Sequence, residues 1–136
     1  TMESLVMNRR LTLIPLLFLL SSHALSAADL LQGMVPVSTP QLTPGKVERR
    51  TLNQTVSTPL FIVGDDALSH RWLSTKRDYL ASIGAMGMVV NVQTKAGWQR
   101  FKRYNLTLYP VAGRDFAAAF GLRHYPVLIE RGELKQ

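Results

Sequence analysis

Beyond Pro59 the chain runs through blocks of apolar and polar residues whose period changes from one block to the next, and these blocks predict strands and helices in turn. Leu60-Phe61-Ile62-Val63 is a short apolar run that stops at Gly64-Asp65-Asp66, the pattern of a buried strand delivering the chain to a helix start. Over residues 67–83, Leu68, Trp72, Tyr79, Leu80 and Ile83 recur at helical spacing and define an inward face. His70, Arg71, Arg77 and Asp78 take the other faces, so His70 is expected to be exposed, and Gly84 is placed to end the helix. Residues 86–92 are almost continuously apolar, as in a central parallel strand covered on both sides.

Thr94 then caps a helix over residues 95–104, with Trp98 and Phe101 pointing inward and Lys95, Arg100, Lys102 and Arg103 toward solvent. Residues 106–109 predict a further strand and residues 115–120 a third helix closed by Gly121. Residues 124–129 return as a strand that Arg131-Gly132 turns into residues 133–136. Strands alternating with helices predict an α/β fold: a mainly parallel central sheet flanked by helices, with right-handed crossovers, ending in a β-hairpin.

Upstream the periodicity disappears. Residues 27–58 carry Pro36, Pro40 and Pro44 among Ser, Thr and Gln, and read as an extended, proline-rich arm that can hold the domain of residues 59–136 away from a membrane or partner. Before the arm, Met7-Asn8-Arg9-Arg10 opens a basic segment. Residues 11–20 are apolar apart from Thr12 and Pro15, and small residues follow at Ala24, Ser26, Ala27 and Ala28. This is the pattern of a signal peptide over residues 1–26, cleaved near residues 26–28, with an uncleaved anchor as the alternative. The apolar run is shorter than the ~20 residues of a membrane span. The expected location is therefore the periplasm, with no stable membrane span after cleavage. Residues 1–6 precede the expected start at Met7, read as non-native, and do not enter the fold expectation.

Composition narrows the function classes. At 46% hydrophobic and 18% charged residues the chain is globular in type, and its 136 residues suit one domain. The net charge is +7; from Ala27 onward 14 Lys and Arg face 8 Asp and Glu, which leaves +6. Such a surface favours acidic partners, whether nucleic acid, anionic headgroups or acidic protein. The chain has no cysteine, which excludes disulfides, thiolate metal sites, cysteine nucleophiles, thiol redox chemistry and a lipidated cysteine anchor.

The candidate residues divide by chemistry. Asp65 and Asp66 lie at the carboxyl end of a strand beside a helix start, where open α/β sheets bind ligands; capping the helix and a metal or acid–base role are the alternatives. His124 adjoins Tyr125-Pro126 before an apolar strand, a setting more typical of a packed residue than of a catalyst. No serine occupies a nucleophile elbow, and Gly84-Ala85-Met86-Gly87 is too short and wrongly placed for a phosphate loop. No catalytic residue, metal or cofactor is expected. Lys95, Arg100, Lys102 and Arg103 form a candidate patch for nucleic acid or an acidic partner, weighed against a plain solvated helix face.

Phe120-Gly121-Leu122-Arg123-His124-Tyr125-Pro126-Val127-Leu128-Ile129, followed by a glycine turn, resembles the end of a thioredoxin fold: helix, glycine, loop, proline, strand and hairpin. The resemblance implies a thioredoxin-like domain with a cis peptide at Tyr125-Pro126. It would put the redox cysteines at Gly64-Asp65-Asp66-Ala67-Leu68, so the oxidoreductase activity does not carry over. More narrowly, residues 61–66, residues 69–73 with Trp72, residues 84–92 and residues 122–129 resemble a family of integrating conjugative element proteins, exported and thioredoxin-like, found with the type IV secretion machinery of genomic islands. The matching stretches cover most of residues 60–136. Pilus-assembly proteins of F-type conjugation systems have a similar ending.

The resemblance implies a structural or assembly role in conjugative transfer, with secretion-system or pilus-assembly proteins as partners. It also implies a protein-binding face at Asp65, Asp66, His124, Tyr125 and Pro126, because thioredoxin-like domains lay extended peptides beside that proline. A DNA-contacting accessory role, resting on the basic patch, is the alternative.

Overall fold

In the computed structural model, which describes residues 26–136, the main sheet is built outward from β3 (Leu60–Gly64), whose Phe61, Ile62 and Val63 are buried on both sides. β4 (Met86–Asn91) lies parallel to it on one side and β5 (Thr107–Pro110) parallel to β4 beyond. On the other side run β7 (Val127–Glu130), β8 (Glu133–Lys135) and β2 (Arg50–Thr51), each antiparallel to its neighbour, giving the order β2-β8-β7-β3-β4-β5. A second, two-stranded parallel sheet joins β1 (Thr43–Pro44) to β6 (His124–Tyr125). The expected signal peptide falls on residues outside those described, apart from Ser26.

This corrects the expected fold class. Three of the five strand pairings in the main sheet are antiparallel, so it is a mixed sheet and neither the mainly parallel one that the strand–helix alternation suggested nor the thioredoxin-like one that the resemblance implied. The difference begins at β7, which runs antiparallel to β3 with Phe61 opposite Leu128, and is extended by the next two strands. Arg131 and Gly132 both take positive φ, 50° and 73°, which makes a two-residue turn whose twist admits only an antiparallel hairpin. The proline-rich segment then supplies β2 as an outer strand on β8, pairing Arg50 with Leu134 and Thr51 with Glu133.

The helices form much as the periodicity predicts. α2 (Ala67–Ser82) starts at Asp66, whose side chain accepts from the Ser69 amide, and ends before Gly84 in the left-handed conformation. α3 (Lys95–Gln99) is capped by Thr94, which accepts from the Gly97 amide. It tightens into a 3-10 turn over Arg100–Tyr104, and Asn105 closes that turn at φ 49°. α4 (Arg114–Phe120) ends on left-handed Gly121. Alternation along β3 and β4 divides the core: Phe61, Val63 and Val89 face Trp72, Leu73, Leu80, Trp98 and Phe101, while Ile62, Met88 and Val90 face Ala117, Phe120, Leu122 and Tyr125.

Residues 35–56 contribute to this core. α1 (Ala27–Gly33) begins with a reciprocal cap in which the Asp29 amide donates to Ser26 Oγ at 3.2 Å and the Ser26 amide to Asp29 Oδ2 at 3.4 Å. Val35 and Val37 then enter the core beside Val92, with Val37 and Val92 exchanging backbone hydrogen bonds, and Leu42, only 1% exposed, enters the opposite half. The fastening is polar as well. Buried Thr39 donates from Oγ1 to the Val90 carbonyl at 2.8 Å and accepts from the Gly113 amide at 2.9 Å, while its own amide donates to Asn91 Oδ1 at 2.7 Å.

Candidate binding groove

Asp65 and Asp66 stand at the carboxyl end of β3, as expected, but they do different things. Asp66 caps α2 through Oδ2, and its Oδ1 is buried without a hydrogen-bond partner among the described residues. Asp65 is a hub: Oδ1 accepts from His70 Nε2 at 2.8 Å and Oδ2 from Arg100 Nη1 at 2.9 Å. On the far side of the imidazole, Nδ1 lies 2.6 Å from the Tyr104 hydroxyl, and that hydroxyl accepts from Arg103 Nη2 at 2.8 Å. His70 is therefore a half-buried link between α2 and the 3-10 turn, not the exposed residue its helical position suggested. The crowding is tight enough that any side chain at Gly97 would collide with Asp65.

Of the four cations expected on one basic face, Arg100 pairs with Asp65, and the Arg103 guanidinium sits 5.0 Å from the centre of the Tyr104 ring. Lys95 and Lys102 are exposed and make no ion pair among the described residues. Half of the patch is thus engaged in holding the fold.

The Pro126 loop is covered from within the chain. Tyr125 is buried and its hydroxyl accepts from Asn91 Nδ2 at 3.1 Å; burial, partly offset by that bond, pushes its pKa above the usual phenol range. Gly64 lies against the Tyr125 ring, where a Cβ would collide with it. Both the Val35-Pro36 and the Tyr125-Pro126 peptide bonds are cis. Alongside, β1 uses the open backbone of β6: the Thr43 amide donates to the Arg123 carbonyl at 3.1 Å and the Gly45 amide to the Tyr125 carbonyl at 3.0 Å. His124 is exposed but meets Thr43 Oγ1 at 3.1 Å. The edge that an extended partner would need is already paired with the segment read as a free arm.

An open groove lies elsewhere, between α2 and the stretch linking β1 to β2. It is a groove of 740 Å³, within the range of ligand sites, lined by Lys46, Val47, Arg49, Trp72, Thr75, Lys76, Tyr79, Leu128, Lys135 and Gln136. Val47, Trp72 and Leu128 give it an apolar component. Four cations and no acidic side chain line it. Trp72 is 8% exposed, and its indole N–H is buried with no acceptor among the described residues. A buried tryptophan N–H ordinarily finds a partner, and leaving one unpaired costs about 1–3 kcal/mol.

The charges around the groove are tuned by neighbours just outside it. Glu130, 3% exposed, accepts from Lys135 Nζ at 2.9 Å and from the Tyr79 hydroxyl at 2.5 Å. Burial pushes the Glu130 pKa up, but the Tyr79 and Lys135 hydrogen bonds, aided by the Lys135 and Arg131 charges, outweigh it and hold the carboxyl below its usual range. The same hydrogen bond raises the Tyr79 pKa. Arg49 binds Glu133 at 2.7 Å, which lowers the Glu133 carboxyl and raises the guanidinium. Lys46 has only an exposed partner, Glu48 at 3.4 Å, and Lys76 has no ion pair among the described residues.

The sequence pattern does not reveal this site. Tyr79 shares the helical face of Trp72 and was expected inside, yet it is 42% exposed. The cations come from three separate stretches that only the fold brings together. Among the described residues no group of His, Asp and Glu is arranged to hold a metal, and no helix is long and apolar enough to cross a membrane. No curated protein and no solved structure matches the chain. A family described as "Protein of unknown function (DUF2859)" matches residues 18–134, and the chain belongs to that family.

Proposed function

We propose that this protein is an exported, non-catalytic binding component of the conjugative type IV secretion machinery of an integrating conjugative element, acting in the periplasm through protein–protein contact. The groove beside α2 carries this reading: it combines an apolar floor with cations drawn from three stretches. The periplasmic location rests on the sequence pattern of residues 7–28, and the conjugative system on the resemblance of residues 61–66, 69–73, 84–92 and 122–129. The contact surface is the groove rather than Asp65, Asp66, His124, Tyr125 and Pro126, because those groups are largely bonded within the chain.

A second reading, contact with transferred DNA, draws on exposed Lys95 and Lys102. It is the weaker one, since Arg100 and Arg103 are held by Asp65 and Tyr104. Crosslinking in mating cells followed by affinity recovery of the tagged protein is expected to yield secretion-apparatus or pilus-assembly proteins. Recovery of none of them would contradict the proposal, and DNA binding that weakens steeply with added salt would favour the second reading.

A further inference from the structure

The groove beside α2 has three features that bear on what fills it. Its lining offers positive charge only, from Lys46, Arg49, Lys76 and Lys135. Between these lie Val47, Leu128 and the edge of Trp72, an apolar surface that suits a side chain and not a bare ion. Finally, Trp72 is 8% exposed, and its indole N–H, buried and without a hydrogen-bond partner among the described residues, reports on the floor of the groove.

We infer that the groove binds an acidic polypeptide segment carrying an aromatic or branched aliphatic side chain. The apolar side chain rests on Val47, Trp72 and Leu128, and carboxylates of the segment meet Lys46 and Lys76. This deepens the proposal of a protein-binding component and rests on it for the kind of partner.

Charge placement favours polypeptide over nucleic acid. Arg49 and Lys135 already hold Glu133 and Glu130, so the cations left to attract a ligand are Lys46, in a weak exposed pair, and Lys76. Two point charges flanking an apolar floor match carboxylates spaced around a hydrophobic residue. They do not make the continuous cationic track that a phosphate backbone follows, and Trp72 is too buried to offer a ring face for base stacking.

The test is titration of the ¹⁵N-labelled protein with a synthetic ten-residue peptide alternating glutamate with phenylalanine and leucine, read on the two tryptophan indole N–H signals. Saturable movement of the Trp72 signal is expected while that of Trp98 stays in place. Replacing the glutamates by glutamine should weaken binding about tenfold or more, as should Lys76→Glu. Lys46→Glu, at an exposed position, gives the same readout should Lys76→Glu fail to fold. A Trp72 signal unmoved at about 1 mM peptide, or equal affinity for the glutamine peptide, would overturn the inference. So would movement with oligothymidylate alone. Because no secretion protein takes part, binding here together with failure of the crosslinking experiment would refute the conjugative role and leave the groove's chemistry standing.

Discussion

Thr43 lies opposite His124 in a parallel strand pair, and Thr43 Oγ1 meets His124 Nδ1 at 3.1 Å. Through this pairing the proline-rich segment seals the loop before Pro126 and becomes part of the domain. Residues 39–45 are therefore structural, and a partner must find another surface.

Thr39 is the strongest fastening of that segment. It is 1% exposed, and its hydroxyl joins the Val90 carbonyl to the Gly113 amide. Thr39→Val keeps the shape but leaves both backbone groups unpaired. The expected loss is roughly 1–3 kcal/mol, measured by urea denaturation, with binding to the groove retained.

The Asp65–His70 hydrogen bond, with Tyr104 on the other ring nitrogen, should act as one unit. In a double-mutant cycle built from Asp65→Ala and His70→Phe, the expected coupling is about 0.5–3 kcal/mol, so that the double variant is less damaged than the two single losses combined. Additive losses would show that the network contributes nothing beyond its separate parts.

Glu130 ties stability to pH. Its carboxyl is depressed in the folded protein by Tyr79 and Lys135 against the effect of burial. A depressed carboxyl adds stability that is present above the unfolded-state pKa and lost as pH falls through the folded-state pKa. Stability should therefore decline from about pH 5 downward, with Glu133, lowered by Arg49, contributing in the same direction. Glu130→Gln should be less stable at pH 7 and show a shallower acid decline in urea denaturation across that window.

What the sequence revealed followed from local period. Leu60 to Val63, the Asp66 and Thr94 caps and the Gly84 and Gly121 stops all report on neighbours within a few residues, and the strands and helices they predict form with small shifts at their ends. Much of the sheet's direction depends on Phe61 meeting Leu128 and Arg50 meeting Leu134, contacts across the length of the domain that no local pattern encodes. The same distance hid the sites. His70 finds its partner in Tyr104. Tyr79, in register with Trp72 on the helix, turns outward because its hydroxyl has Glu130 to bond. Lys46 and Lys76 share a groove only once residues 46–49 have folded back along α2.

The most direct measurement of the central claim is conjugative transfer from donor cells lacking the gene and complemented with variant forms. Wild type is expected to restore transfer, whereas Lys46→Glu combined with Lys76→Glu, confirmed as folded and exported, should reduce it by about tenfold or more. Full transfer with the doubly reversed groove, or full transfer without the gene at all, would contradict the account.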